Sequence, residues 1–205
     1  MLSRTRGYLP HPVSSEGIYF VTFRLTDSLP AKLLYQWKQE LELRKRQIKD
    51  EECAKGLEDE YYMKVQGYLD ESHGNCWLNK PEIASIVDGA IRHFNNTRYS
   101  LFAWTIMPNH VHALFELKSG FKLPSIMHSW KGFSAHQANK VLNRSGEFWQ
   151  REYFDRFVKS ERQLEFTLRY ILNNPVKAGL CKEIFQWPWT RCSEEMQSIA
   201  KRFFL

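Results

Sequence analysis

Apolar residues recur along this chain in two rhythms, one close to alternation and one close to every third or fourth position. GIYFVTFRL (17–25) is a β-branched and aromatic run between turn signals and predicts a strand. LPAKLLYQWKQELELRKRQIKD follows, where Leu33, Leu34, Trp37 and Leu41 fall at helical spacing behind Pro30. Residues 50–80 are acidic, then Tyr-rich, then broken by His-Gly-Asn. They read as a partly helical insertion to which no chemistry is assigned. In KPEIASIVDGAIRHFNN, Ile83, Ile86, Val87, Ala90, Ile91 and Phe94 form one stripe and predict a helix.

YSLFAWTIM and HVHALFELK then predict two strands paired across a tight Pro108-Asn109 link. LPSIMHSWKGFSAHQANKVLN predicts a helix, EFWQREYFDRFV a short strand, and SERQLEFTLRYILNN a further helix with Ser160 as its N-cap. Trp-Pro-rich turns close the chain. This order predicts an α+β, ferredoxin-like sandwich: an antiparallel sheet with helices packed on one face. We expect a single domain over residues 1–205, with a basic arm (1–16), a helical insertion (50–80) and a C-terminal extension (181–205).

Composition narrows the class. With 43% hydrophobic and 15% aromatic residues, the chain can bury a core and is not disordered. The formal charge is +6, and it is unevenly spread. Residues 1–117 carry 14 Lys/Arg against 15 Asp/Glu, whereas residues 118–205 carry 15 against 8. A basic second half favours a polyanionic partner. Four cysteines at irregular spacings, with no C-x-x-C pair, fit reduced thiols better than a zinc ribbon or a disulfide scaffold. No apolar stretch behind MLSRTRGYLPHP resembles a signal peptide, and none reaches the length of a membrane span. The expectation is a cytoplasmic protein with no membrane contact.

Candidate chemistry begins at TIMPNHVHALFEL. On a strand, His110 and His112 face one way and Val111 the other. Two neutral imidazoles on one face suit a divalent ion, but such pairs also simply hydrogen-bond. Glu116 shares their face, which would suit the metal site of a cupin barrel. The long helices, and Trp104 where a turn glycine would be needed, argue against that fold. No Asp-His follows the pair, which removes a metallo-β-lactamase type of site.

In TLRYILNNPVKAGL, Tyr170 and Asn174 stand one helical turn apart and share a face. A tyrosine hydroxyl, weak at its ordinary pKa of about 10, can attack a phosphodiester that a metal polarises. An amide one turn away could bind the same ion. The plainer reading makes Asn174 an N-cap before Pro175, and Tyr170 a core aromatic.

Taken together, AWTIMPNHVHALFEL, SWKGFSAHQANKVLNRSGEFWQREYFDRFV and YILNNPVKAGL…WPWT resemble the REP-associated tyrosine transposases. These are single-tyrosine members of the HUH endonuclease superfamily. The similarity runs from about Gly17 to Trp189 in matching order and spacing. It implies the ferredoxin-like fold, with His110 and His112 holding Mg²⁺ or Mn²⁺, Asn174 completing the metal site, and Tyr170 as nucleophile. It also implies a metal-dependent endonuclease and strand-transferase that nicks and joins single-stranded or hairpin DNA through a 5′-phosphotyrosine. The alternative is a non-catalytic regulator of the same fold that binds hairpins. Two features depart from the family pattern: YFVTF where a histidine is common, and the long segment after the first strand.

Under that resemblance, the expected phosphate contacts are Lys131, Lys140, Arg151 and Arg156, with Arg4 and Arg6 of the arm. Each of these also reads as part of a solvated face. Trp130 and Trp149 are candidates to stack on bases, or to fill the core. Related proteins act as monomers or as homodimers, and either is compatible with the sequence.

Overall fold

The computed structural model describes residues 3–5, 10–12, 16–48 and 50–204. Strands β1 (Ser3–Thr5) and β2 (Pro10–Pro12) pair antiparallel in the arm, so the backbone of Arg4 is in a strand. Arg6 lies outside the described residues. β3 (Gly17–Arg24) is followed by helices α1 (Ala31–Arg46) and α2 (Glu51–Asp70), a 3₁₀ turn at Trp77–Asn79, and α3 (Pro81–Arg92). Next come β4 (Tyr99–Ile106), β5 (His110–Leu117) and α4 (Leu123–Val141). The chain continues with β6 (Phe154–Val158), α5 (Glu161–Lys177), β7 (Thr190–Cys192) and α6 (Glu194–Phe204).

Five of these strands form one antiparallel sheet in the order β6-β3-β5-β4-β7. The first four carry the ferredoxin-like permutation expected from the element order. β5 lies at the centre, flanked on both sides, and its register sets Thr22 opposite His112 and Arg24 opposite His110.

Strand alternation sorts the side chains into two cores. Tyr19, Val21 and Phe23 of β3 join Val111, Ala113 and Phe115 of β5 against the apolar stripes of α3 and α4. The Trp130 indole donates to the Tyr99 hydroxyl at 2.8 Å, so this buried tryptophan is packed inside, and Trp149 is likewise core. On the other face, Phe20, Phe102 and Leu114 meet Leu168, Ile171 and Leu172 of α5. Met196 and Ala200 of α6 and Tyr62 of α2 complete that cluster. The α+β sandwich is as expected, and its second face is also covered. That face is where the histidines point.

Two local expectations meet a different outcome. The last residues form β7 and α6 rather than turns alone, because Met196 and Ala200, one turn apart, both bury against the second core. Helix α5 runs through Pro175 to Lys177, so Asn174 sits inside it and caps no new helix. Ser160 does cap α5, accepting from the Gln163 amide at 3.3 Å, while the Gln163 side chain accepts from Lys159 N at 2.8 Å. The 50–80 segment is mostly one long helix, capped by Asp50 and joined to α1 by surface ion pairs such as Arg44–Glu60 at 2.7 Å. Helix α1 buries no residue fully, and its stripe of Leu33, Leu34, Trp37 and Leu41 is half-buried.

Candidate active site

His110 and His112 have no exposed surface, and their Nε2 atoms face each other at 3.1 Å. The outer nitrogens are tied. His110 Nδ1 lies 2.7 Å from Asn109 Oδ1, and His112 Nδ1 lies 2.7 Å from Thr22 Oγ1. The Asn109 amide nitrogen donates to His73 O at 3.0 Å, which turns its oxygen towards His110 and assigns that ring's proton to Nδ1. Thr22 Oγ1 is in turn 3.2 Å from the Tyr62 hydroxyl. His110 Nε2 therefore carries a lone pair, and when Thr22 Oγ1 accepts from His112 Nδ1 a second lone pair converges on the same point. Such an arrangement is stabilised by a cation between them.

Burial keeps both rings neutral. His110 is pushed down to about 3 by burial first and by the Arg24 charge second. His112 is held well below its ordinary value by burial, then by His110 and Lys177. Neutral imidazoles are the form that binds metals.

Helix α5 brings Tyr170 to the pair. Its ring meets His112 edge-on at 5.2 Å between centroids and Phe20 at 5.9 Å. Its hydroxyl donates to Gln66 Oε1 at 3.4 Å. Burial pushes the phenol up, and the neighbouring Tyr62 and Asp70 add to this, while the Asn174 amide works in the opposite direction. One turn on, Asn174 is buried, and neither its Oδ1 nor its Nδ2 makes a hydrogen bond of ordinary length. An orphaned amide inside a protein is costly unless something else satisfies it.

Sequence reasoning missed the third wall of the site, which is α2. Tyr62, Gln66 and Asp70 recur every fourth residue along it and all turn inwards. The Asp70 carboxylate is mostly buried, with Oδ1 3.9 Å from His110 Nε2 and without a hydrogen bond. Its Oδ2 lies 3.1 Å from Lys177 Nζ. Burial raises Asp70, against the pull of Lys177 and Asn174. Among the described residues no three His, Cys, Asp or Glu side chains form a ready metal cluster. The donor set available here is two imidazoles and an amide, with Asp70 at the margin. Such a set could hold a divalent ion.

The turn after α2 also serves the site. Gly74 has φ +88°, and a Cβ there would sit 2.7 Å from Asp27 O. That close approach lets Asn75 donate to the Asp27 carboxylate from its backbone at 2.8 Å, and it places His73 O beside Asn109. The signal in the sequence was the His-Gly-Asn break itself.

Other expected residues lie apart from this cluster. Glu116 is exposed and four residues from His112, roughly 13 Å along an extended strand, so the cupin-like triad does not assemble. The Lys131 ammonium donates to the carbonyls of Gln150 and Arg151 at 2.8 and 2.7 Å, and burial brings it down to about 8. Arg156 pairs with Asp59 of α2, fastening that helix to β6. Lys140 and Arg151 are exposed. Lys131→Met should lower stability by about 1–3 kcal/mol. Chemical unfolding checks this.

A half-buried tyrosine thus stands over a buried histidine pair on a ferredoxin-like sheet. Residues 78–174 match the family described as "Transposase IS200 like". A Haemophilus influenzae protein described as "Putative REP-associated tyrosine transposase" is 23% identical over 110 residues, 49% of this chain and 62% of the relative. The Escherichia coli K12 "REP-associated tyrosine transposase" is 22% identical over 92 residues, 45% of this chain and 53% of the relative. The matches thus span less than two thirds of those relatives. A solved structure described as a REP-associated tyrosine transposase bound to a REP hairpin superposes with a TM-score of 0.52 at 16% identity. It covers all of this chain and 88% of that one, and it shares the fold.

Proposed function

We propose that this protein nicks and rejoins single-stranded DNA at hairpin-forming sequences, with Tyr170 as the attacking group. The observation that carries the proposal is the placement of Tyr170 against His112, within one chain, beside an amide with no hydrogen bond of ordinary length among the described residues. The IS200-like match and the hairpin-bound relative support the same reading.

His110, His112 and the Asn174 oxygen would hold a divalent ion, Mg²⁺ or Mn²⁺. When bound, such an ion supplies charge that polarises a phosphodiester and favours ionisation of a nearby phenol. Thr22 and Asn109 keep the imidazoles aimed and unprotonated at Nε2. Burial, with Tyr62 and Asp70 beside it, holds Tyr170 in its un-ionised form, so its reactivity depends on positive charge arriving at the histidines. The phenolic oxygen attacks phosphorus and its proton passes to water. The bond from phosphorus to the 3′ oxygen breaks and that oxygen takes a proton from water, leaving a 5′-phosphotyrosine and a 3′ hydroxyl. Rejoining is the reverse, and no nucleotide cofactor is required. Lys140 and Arg151 are free to follow the DNA backbone. A site complete in one chain supports action as a monomer.

The test uses hairpin-forming oligonucleotides with single-stranded flanks, drawn from palindromes beside the gene, incubated with Mn²⁺ or Mg²⁺. A slower protein band carrying DNA on a denaturing gel, absent with chelator, is the expected result. Tight hairpin binding by folded protein with no adduct would favour the non-catalytic regulator instead.

A further inference from the structure

One buried cation near the site has no role in the chemistry above. Arg24 ends β3, opposite His110 in register and on the same side of the sheet as Thr22 and the histidines. It is only 9% exposed, yet no carboxylate of the described residues pairs with it. One guanidinium nitrogen donates to Ser28 Oγ at 3.2 Å, and Ser28 is itself committed to Leu25 O at 2.7 Å. The other arginines in ion pairs differ: Arg44, Arg92 and Arg156 are all more exposed, and each has an acid. Burial brings Arg24 down to about 10, with only Tyr61 acting against it. A buried guanidinium without an anion costs stability, and an incoming anion offsets that cost.

Its position is also fixed. Leu25 N donates to Asn109 O at 2.8 Å and Gln150 N donates to Arg24 O at 2.8 Å, so the backbone around Arg24 is clamped between the histidine hairpin and the loop before β6. Rigid support is what a binding group needs if it is to act without reorganising. Building on the function proposed above, we infer that Arg24 binds the phosphodiester to be cut, donating to a non-bridging oxygen from beside the histidine pair. Five N–H groups in a planar fork suit a phosphate, and among the described residues most of them have no side-chain acceptor.

The test separates binding from chemistry by working in Tyr170→Phe protein without added metal. Binding of a hairpin oligonucleotide with a single-stranded flank is measured from low to moderate salt, with and without Arg24→Gln. The expected result is a loss of about 10-fold or more in affinity. The slope of log K against log salt should also fall by about 0.7, the value of one single-strand phosphate contact. The thermal midpoint should hold or rise, since an unpaired buried charge is gone. An unchanged slope overturns the assignment whatever happens to stability. If Arg24→Gln does not fold, Arg24→Met replaces it, and failure of both would make Arg24 a structural strut. Covalent adduct formation by the otherwise unaltered protein is scored separately. An adduct with an unchanged slope sinks only the role of Arg24, and a reduced slope without an adduct sinks only the nucleophile. No binding at all by Tyr170→Phe protein would remove both.

Discussion

Tyr170→Phe should abolish the protein–DNA adduct, by roughly 10⁴-fold or more in rate, while leaving a folded protein that still binds its hairpin. The change removes one oxygen. That oxygen's hydrogen bond is the long 3.4 Å donation to Gln66, so stability should move by no more than about 1 kcal/mol. The ring contacts with Phe20 and His112 belong to the carbon skeleton and survive. Adduct yield on a denaturing gel, read beside thermal unfolding and hairpin affinity, checks all three parts. Persistent adduct in the variant would mean that another nucleophile acts. A large loss of stability would make Tyr170 a core residue, as its plainer reading has it.

The second large effect concerns metal. Mn²⁺ at about 100 times its dissociation constant should stabilise the unaltered protein by about 2.7 kcal/mol, the mass-action value for one site. His112→Gln should reduce that gain to nearly nothing. In the absence of metal the same substitution should cost about 1–3 kcal/mol, because it removes the buried 2.7 Å contact of His112 Nδ1 with Thr22 Oγ1. The stacked contact of the His112 ring on Phe20, 5.6 Å between centroids, is lost as well. Paired thermal melts with Mn²⁺ and with chelator measure both quantities. If Mn²⁺ does not stabilise the unaltered protein, the ion has no place in this site.

The motif half of the site was legible because its geometry is local. Alternation places His110 and His112 together from the strand period alone, and a separation of four does the same for Tyr170 and Asn174 on α5. Strand order was legible from element order, since a ferredoxin-like path has few alternatives. The α2 wall was not. Tyr62, Gln66 and Asp70 share one face, but in an acidic, Tyr-rich segment that spacing reads as a solvated helix. Only docking shows which way the face turns, through contacts such as Arg156 with Asp59, 97 residues apart. The roles of Lys131 and Arg24 were hidden for a similar reason. A basic residue near a carbonyl pair and one near no acid look alike in one dimension. Asn174-Pro175 misled in the opposite sense, because proline within the last turn of α5 imitates the start of a new helix.

The residues that define the family resemblance therefore do not make a portable module. Residues 78–174 contain both histidines, Tyr170 and Asn174, yet they exclude β3, which lies between β5 and β6 in the sheet. A fragment cut to that span would break the sheet at its middle. It would strip His112 of its Thr22 partner and lose Gln66 and Asp70 with α2. Grafting the four motif residues onto another sandwich meets the same obstacle, since the aim of each imidazole is set by atoms the motif does not name.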